Sequence, residues 1–178
     1  MRRLVLLAAT GMLATGCSTD EPAYRGRGLA AATLPMSDAV AVYRAALGGS
    51  FNMNDPSLWI VVDTLLLPRT PGLEGGAPMP AELLSALRNA GVAKGVCTIP
   101  IRPERAPLRC NASRPGYAVR FSELLSLGKD SVQVYLVVEQ YATPAGPAAE
   151  RLRFERAYHV SRRGSRWRAT REARLPRP

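Results

Sequence analysis

Histidine, lysine and cysteine are scarce in this chain. There is one histidine, His159, two lysines, Lys94 and Lys129, and three cysteines, Cys17, Cys97 and Cys110, in 178 residues. One histidine and no Cys-x-x-Cys pair leave a zinc centre without a ligand set. No Gly-x-Ser-x-Gly occurs, which excludes the serine-hydrolase elbow. No P-loop and no Gly-x-Gly-x-x-Gly opening a helix occur, which removes the usual phosphate cradles. Nothing in the residues asks for a cofactor. No apolar run approaches the roughly 20 residues of a membrane-spanning helix. The strand-like run 58–67 is short and is interrupted by Asp63.

The opening residues are more telling. Arg2 and Arg3 precede an uncharged stretch, 4–14, and then Thr15-Gly16-Cys17. A basic start, a short apolar run and a small-residue boundary make an export signal. Small residues directly before a cysteine resemble the lipobox of bacterial lipoproteins. The resemblance implies cleavage before Cys17, a diacylglyceryl thioether on its sulfur and acylation of the new amino terminus. Ala14 departs from the pattern, where a bulky aliphatic is usual. Two other readings stand beside it: an ordinary signal peptide cut near Ala14, and a buried N-terminal helix. Ser18 after the cysteine, with no aspartate, implies by analogy with Gram-negative sorting an outer-membrane location facing the periplasm. Stable anchoring takes more than one acyl chain, and a lipoprotein cysteine carries more than one. The resulting division is a signal at 1–16, a flexible tether at 17–35 and a single domain at 36–178.

With Cys17 lipidated, Cys97 and Cys110 remain. An oxidising compartment allows them to pair across a proline-rich segment; the alternative is two unrelated thiols. The formal charge is +10, and residues 17–150 sum to zero. Beyond the two signal arginines, the whole excess lies in 151–178, where ten arginines meet only Glu155 and Glu172. Arg153, Arg162, Arg163, Arg166 and Arg168 are thus candidates for binding an anionic envelope component; no specific nucleic acid is expected. The competing explanation is compositional. Arginine outnumbers lysine 22 to 2 amid many alanines, prolines and glycines, as a GC-rich genome would produce.

The pattern along the chain predicts a helix over 37–47 with Ser37 as N-cap, and a strand over 58–67. A second helix is predicted from Pro80 to Gly91, with Leu83, Leu84 and Leu87 inward. Strands follow at 92–101, 117–127, 132–141 and 152–161, then Arg163-Gly164-Ser165 as a tight turn and a final strand through Trp167, Ala169 and Ala173. This order implies an α+β fold: one or two N-terminal helices packed on a curved antiparallel sheet ending in a β-meander. Asp63-Thr64 on an early strand and the terminal hairpin from Tyr158 to Trp167 resemble uncharacterised exported bacterial proteins. The layout is also similar to NTF2-like cone folds.

Three functions follow. The first is a membrane-tethered, non-enzymatic binding domain. The second is an anionic-surface binder working through the arginine-rich hairpin. The third is a cone-fold hydrolase or isomerase using Asp63 and His159; against it, a buried Asp63 is a structural ion pair or cap, with Arg120 or Arg44 as its partner.

Overall fold

Val40, Tyr43 and Leu47 recur at helical spacing and are buried together on α1 (Met36–Gly48). Leu83 and Leu87 do the same on α2 (Ala81–Asn89). Both helices cover one face of a seven-stranded open sheet made of β1 (Ile60–Val62), β2 (Gly95–Val96), β3 (Gly116–Phe121), β4 (Leu125–Gly128), β5 (Ser131–Tyr141), β6 (Arg153–Arg163) and β7 (Arg166–Arg174). The strand order is β2-β1-β3-β5-β6-β7, with β4 also on β5. The structure, a computed structural model, describes residues 29–67, 76–99, 108–146 and 152–174. The signal 1–16 and Cys17 lie outside the described residues.

The sheet is mixed where an antiparallel one was expected. β1 runs parallel to both β2 and β3. Parallel neighbours need a long crossover; α2 provides it between β1 and β2, and the segment carrying Cys97 and Cys110 provides it between β2 and β3. From β3 onward every pairing is antiparallel. β5 is the central strand and is buried on both faces over most of its length.

Four other expectations change. Ser37 does not cap α1. Pro35 holds that position with φ −53°, no side chain caps the helix, and the Pro35 carbonyl accepts from Asp38 and Ala39 N–H, each at 3.0 Å. The strand expected at 58–67 contracts to Ile60–Val62, because the Asp63 carboxylate folds back onto the Leu65 N–H at 3.1 Å. The strand expected at 117–127 is two strands split by a bulge. Phe121 faces Leu136 while Leu125 faces Gln133, so four steps on one strand match three on the other. Ser122 makes the break: its Oγ, not a backbone carbonyl, accepts the Tyr135 N–H at 2.9 Å. The extra residue swaps faces, so Phe121 and Leu124 both enter the helix-side core and Leu125 points to the other side. A second bulge in β7 puts Ala173 opposite Ala157, whereas Ala169 stands opposite Val160. The strict alternation read for that strand therefore does not persist past Thr170.

Residues 29–35 of the expected tether are described, and there the chain docks. Ala31 bridges Leu125 in antiparallel sense, Ala32 N–H donates to Leu124 O and Ser126 N–H to Ala30 O, both at 2.8 Å.

Two buried tyrosines couple the fold to pH. The Tyr43 hydroxyl donates to Ser122 O at 3.1 Å, and burial, helped by Glu123, lifts its pKa far above the usual value. Tyr141 donates to Arg114 O at 3.1 Å and burial pushes its pKa up to about 12, with Arg114 opposing. Both favour the neutral phenol in the folded state. Their stabilisation is complete below the unfolded tyrosine value of about 10 and is lost as pH rises through the folded values. The urea midpoint should stay level up to about pH 9.5 and fall from about pH 10 to 12. A Tyr43→Phe/Tyr141→Phe protein should lose much of that fall; an unchanged alkaline decline would contradict this assignment.

Candidate functional site

Asp63 is fully buried and Arg120 nearly so, at 0% and 8% exposure. They are ion-paired on the sheet face away from the helices, where Arg120 Nε donates to Asp63 Oδ2. The same Oδ2 accepts the Ile99 N–H at 3.2 Å, and Arg120 Nη2 donates to the Ile99 carbonyl. One peptide position is thus held through both its N–H and its C=O. Of the two partners expected for Asp63, Arg120 is the one found; Arg44 instead donates to Ala90 O at 3.3 Å. A buried charge needs this degree of satisfaction, because each ion taken out of water costs several kcal/mol.

Ile99 follows Cys97, which is joined to Cys110 with a Cα–Cα distance of 5.4 Å. The disulfide packs with Val61, Ile99, Leu108, Ala118 and Tyr141 in a second core on this face. Asp63 and Arg120 therefore act as a clamp that fixes the disulfide segment.

Asp63 and His159 are not brought together. β3 and β5 separate β1 from β6, a lateral distance of about 14 Å. Arg120 pairs with Val137 and His159 with Gln133, so they also lie four residues, about 13 Å, apart along β5. His159 is half-buried on β6.

The candidate arginines divide. Arg153 pairs with Glu155 at 2.9 Å. Arg162 pairs with Asp38 at 3.2 Å and lies 5.8 Å from the Trp167 ring centre, while the Trp167 indole N–H donates to Asp38 at 3.2 Å. Asp38 thus ties α1 to the terminal hairpin. Arg163, Arg166 and Arg168 are exposed, and among the described residues no carboxylate stands against them. Arg163 faces Arg166, and Gly164 takes φ 62° in the two-residue turn. Gly first and a residue without positive φ second fits a type II′ hairpin.

A cleft of about 440 Å³ opens where the chain leaves α1 and meets the start of β3. Phe51, Leu58 and Tyr117 form its apolar walls, and Ser50, Asn52, Asp55 and Gln140 add polar groups. Phe51 contacts Tyr117 at 4.9 Å and Phe154 at 6.2 Å between ring centres, and Arg156 sits 4.9 Å from the Phe154 ring. Ser50 Oγ is hydrogen-bonded to the Tyr158 hydroxyl at 2.8 Å. Asp55 stands at the rim. The Ser57 hydroxyl, then the Ser57 N–H, hold its carboxyl below the usual range. Gly116 belongs at the cleft floor because a Cβ there would lie 2.2 Å from the Trp59 carbonyl. On the other side of the wall, Arg114 stacks 4.4 Å over Trp59. The Trp59 indole N–H is buried without a partner among the described residues.

The cleft was not foreseen. Asn54-Asp55-Pro56 marks only a turn in the sequence, and Phe51 and Tyr117 are far apart in the chain. The only local signal was the Asp-Pro-Ser run, which favours a side-chain-capped turn. Among the described residues no group of three or more His, Cys, Asp or Glu is placed to hold a metal ion. No family model, curated protein or solved structure shows significant similarity to the chain.

Removing the disulfide with Cys97→Ser/Cys110→Ser should lower unfolding free energy by about 3 kcal/mol, the loop-closure value for a loop of this size. The clamp should keep Ile99 docked, so its amide stays protected in native-state hydrogen exchange. Fast exchange at Ile99 in that variant would show that the disulfide, not the ion pair, holds the segment.

Proposed function

We propose that this chain is an exported, lipid-anchored envelope protein whose domain binds a small ligand without transforming it. The observation that carries the binding role is the cleft. Its volume of about 440 Å³ falls in the range of small-molecule sites. Its aromatic walls suit a flat apolar face, and Ser50, Asn52, Gln140 and the Asp55 carboxylate suit hydroxyl or amine substituents. Among the described residues its lining contains no histidine, cysteine or lysine, and its one hydroxyl–carboxylate contact, Ser57 to Asp55, lies within a turn at the rim; Asp63 is engaged elsewhere, and His159 is on the opposite face of β6 from Phe154 and Tyr158. The export signal and Cys17 support the envelope location, at the outer membrane facing the periplasm. In this reading the sheet curves around the cleft and ends as a β-meander, in the manner of NTF2-like cone folds.

Two measurements test it. Mass spectrometry of the chain made in a lipoprotein-processing bacterium should find residues 1–16 removed and acyl groups on Cys17; an intact Met1 would remove the anchor. Aromatic hydroxy and amino fragments, screened by amide chemical shifts, should perturb Phe51, Tyr117 and Gln140. Asn52→Trp, which fills the rim, should abolish those shifts. Fragments that bind elsewhere, or bind this variant equally well, would remove the cleft as the site.

A further inference from the structure

We infer that the β6–β7 hairpin tip is a membrane-facing foot that seats on the anionic lipid surface holding the chain's own anchor. The inference rests on the reading of Cys17 as a lipid anchor and adds an orientation to it. It starts from the direction of the backbone. Ala31 pairs antiparallel with Leu125, and Ser126 N–H donates to Ala30 O. Read backward from Ala31, the described chain at Ala30 and Leu29 therefore heads toward the end of β4 that turns into β5 at Lys129-Asp130. That turn lies beside the hairpin: Ser131 faces Ser161, and Arg162 N–H donates to Asp130 O at 2.8 Å. The chain thus enters the domain at the end where the hairpin tip projects. Only eleven residues, 18–28, separate Cys17 from Leu29, and even fully extended that length spans no more than about 40 Å.

The chemistry of this end fits an anionic surface. Arg163 faces Arg166 and Ser161 faces Arg168, so the three exposed arginines share one face of the hairpin. Arg162 is neutralised by Asp38, and Lys129 and Asp130 offset each other in the adjacent turn. What remains is a surplus of three positive charges with no described carboxylate against them. Two of the exposed large apolar side chains are also here: Leu127, 38% exposed, beside the turn, and Met36, 40% exposed, at the start of α1 where Asp38 meets the hairpin. Arginine planes take phosphate oxygens in pairs, and apolar side chains at the same end of the sheet can enter the headgroup layer. The arrangement also leaves the cleft usable. Gln140, on the cleft, is nine residues along β5 from Ser131, about 30 Å from the seated end.

The test uses the full chain processed in a lipoprotein-processing bacterium and mixed with vesicles of phosphatidylcholine alone or with phosphatidylglycerol added. Flotation with both vesicle types reports the anchor. Amide exchange over residues 161–168 reports the foot. Three basic residues near such a surface favour the seated state by roughly 100-fold. Exchange over 161–168 should therefore slow only on the phosphatidylglycerol vesicles, and the slowing should fade between about 50 and 200 mM salt. R163Q/R166Q/R168Q should float equally well but lose the protection, and R163K/R166K/R168K should keep most of it. Equal exchange on the two vesicle types, or protection that survives the glutamine substitutions, overturns the proposal. Failure to float on phosphatidylcholine alone removes the anchor, and with it the orientation proposed here, whatever the exchange data show. Binding of DNA by the hairpin with no slowing on vesicles would assign the charge to a different partner and overturn it as well.

Discussion

The fold turns on the Ile99 peptide, gripped from both sides by a buried ion pair. Asp63 accepts its N–H and Arg120 donates to its carbonyl, at a place where the carboxylate is fully buried and the guanidinium nearly so. Among the described residues, helices cover one face of this sheet. The other face is covered where it meets the disulfide segment, and that segment has few apolar side chains of its own. Cys97, Ile99, Leu108 and Cys110 make the contact. The ion pair tells this segment where to sit and the disulfide shortens its options when unfolded, beside strands whose parallel pairing the crossovers allow. A hydrophobic pair of similar size would contribute comparable stability, but it would not specify one register for Ile99.

Much of this was legible where local periodicity sets the structure. Val40, Tyr43 and Leu47, then Leu83 and Leu87, announced two helices; the burial of Phe154, Tyr158 and Val160 on one side of β6 followed from simple alternation. Cys97 and Cys110 gave the covalent link as one of two readings, and Asp63 in an apolar run gave its need for a partner, with Arg120 among those named. What escaped were features made by one residue against a distant one. Ser122 breaks a strand because its hydroxyl reaches Tyr135, and Thr170 adds a residue that resets the facing of β7. The parallel β1 pairing depends on a crossover whose ends are 33 residues apart in sequence. The cleft was illegible for the same reason: Phe51, Tyr117 and Gln140 share no local pattern and meet only when β3 pairs with β5.

The two ends of the sheet gather different residues. At one end the incoming chain, the paired turns and the arginine hairpin gather. At the other, α1 releases the chain into the aromatic cleft. β5 spans both, buried throughout its middle, so the distance between them is fixed by one rigid strand. The excess positive charge read as a property of the last 28 residues is, in three dimensions, partly spent. Arg153 and Arg162 serve the protein's own carboxylates, whereas Arg163, Arg166 and Arg168 are exposed with no carboxylate against them among the described residues.

The most direct test of the central interaction is a double-mutant cycle by urea denaturation on Asp63→Asn, Arg120→Met and the two combined. If the pair is the buried clamp described, each single change leaves an uncompensated partner and lowers stability by about 3–5 kcal/mol, while the double change costs much less than their sum. Single effects below about 1 kcal/mol that simply add would mark an ordinary exposed pair and contradict the account.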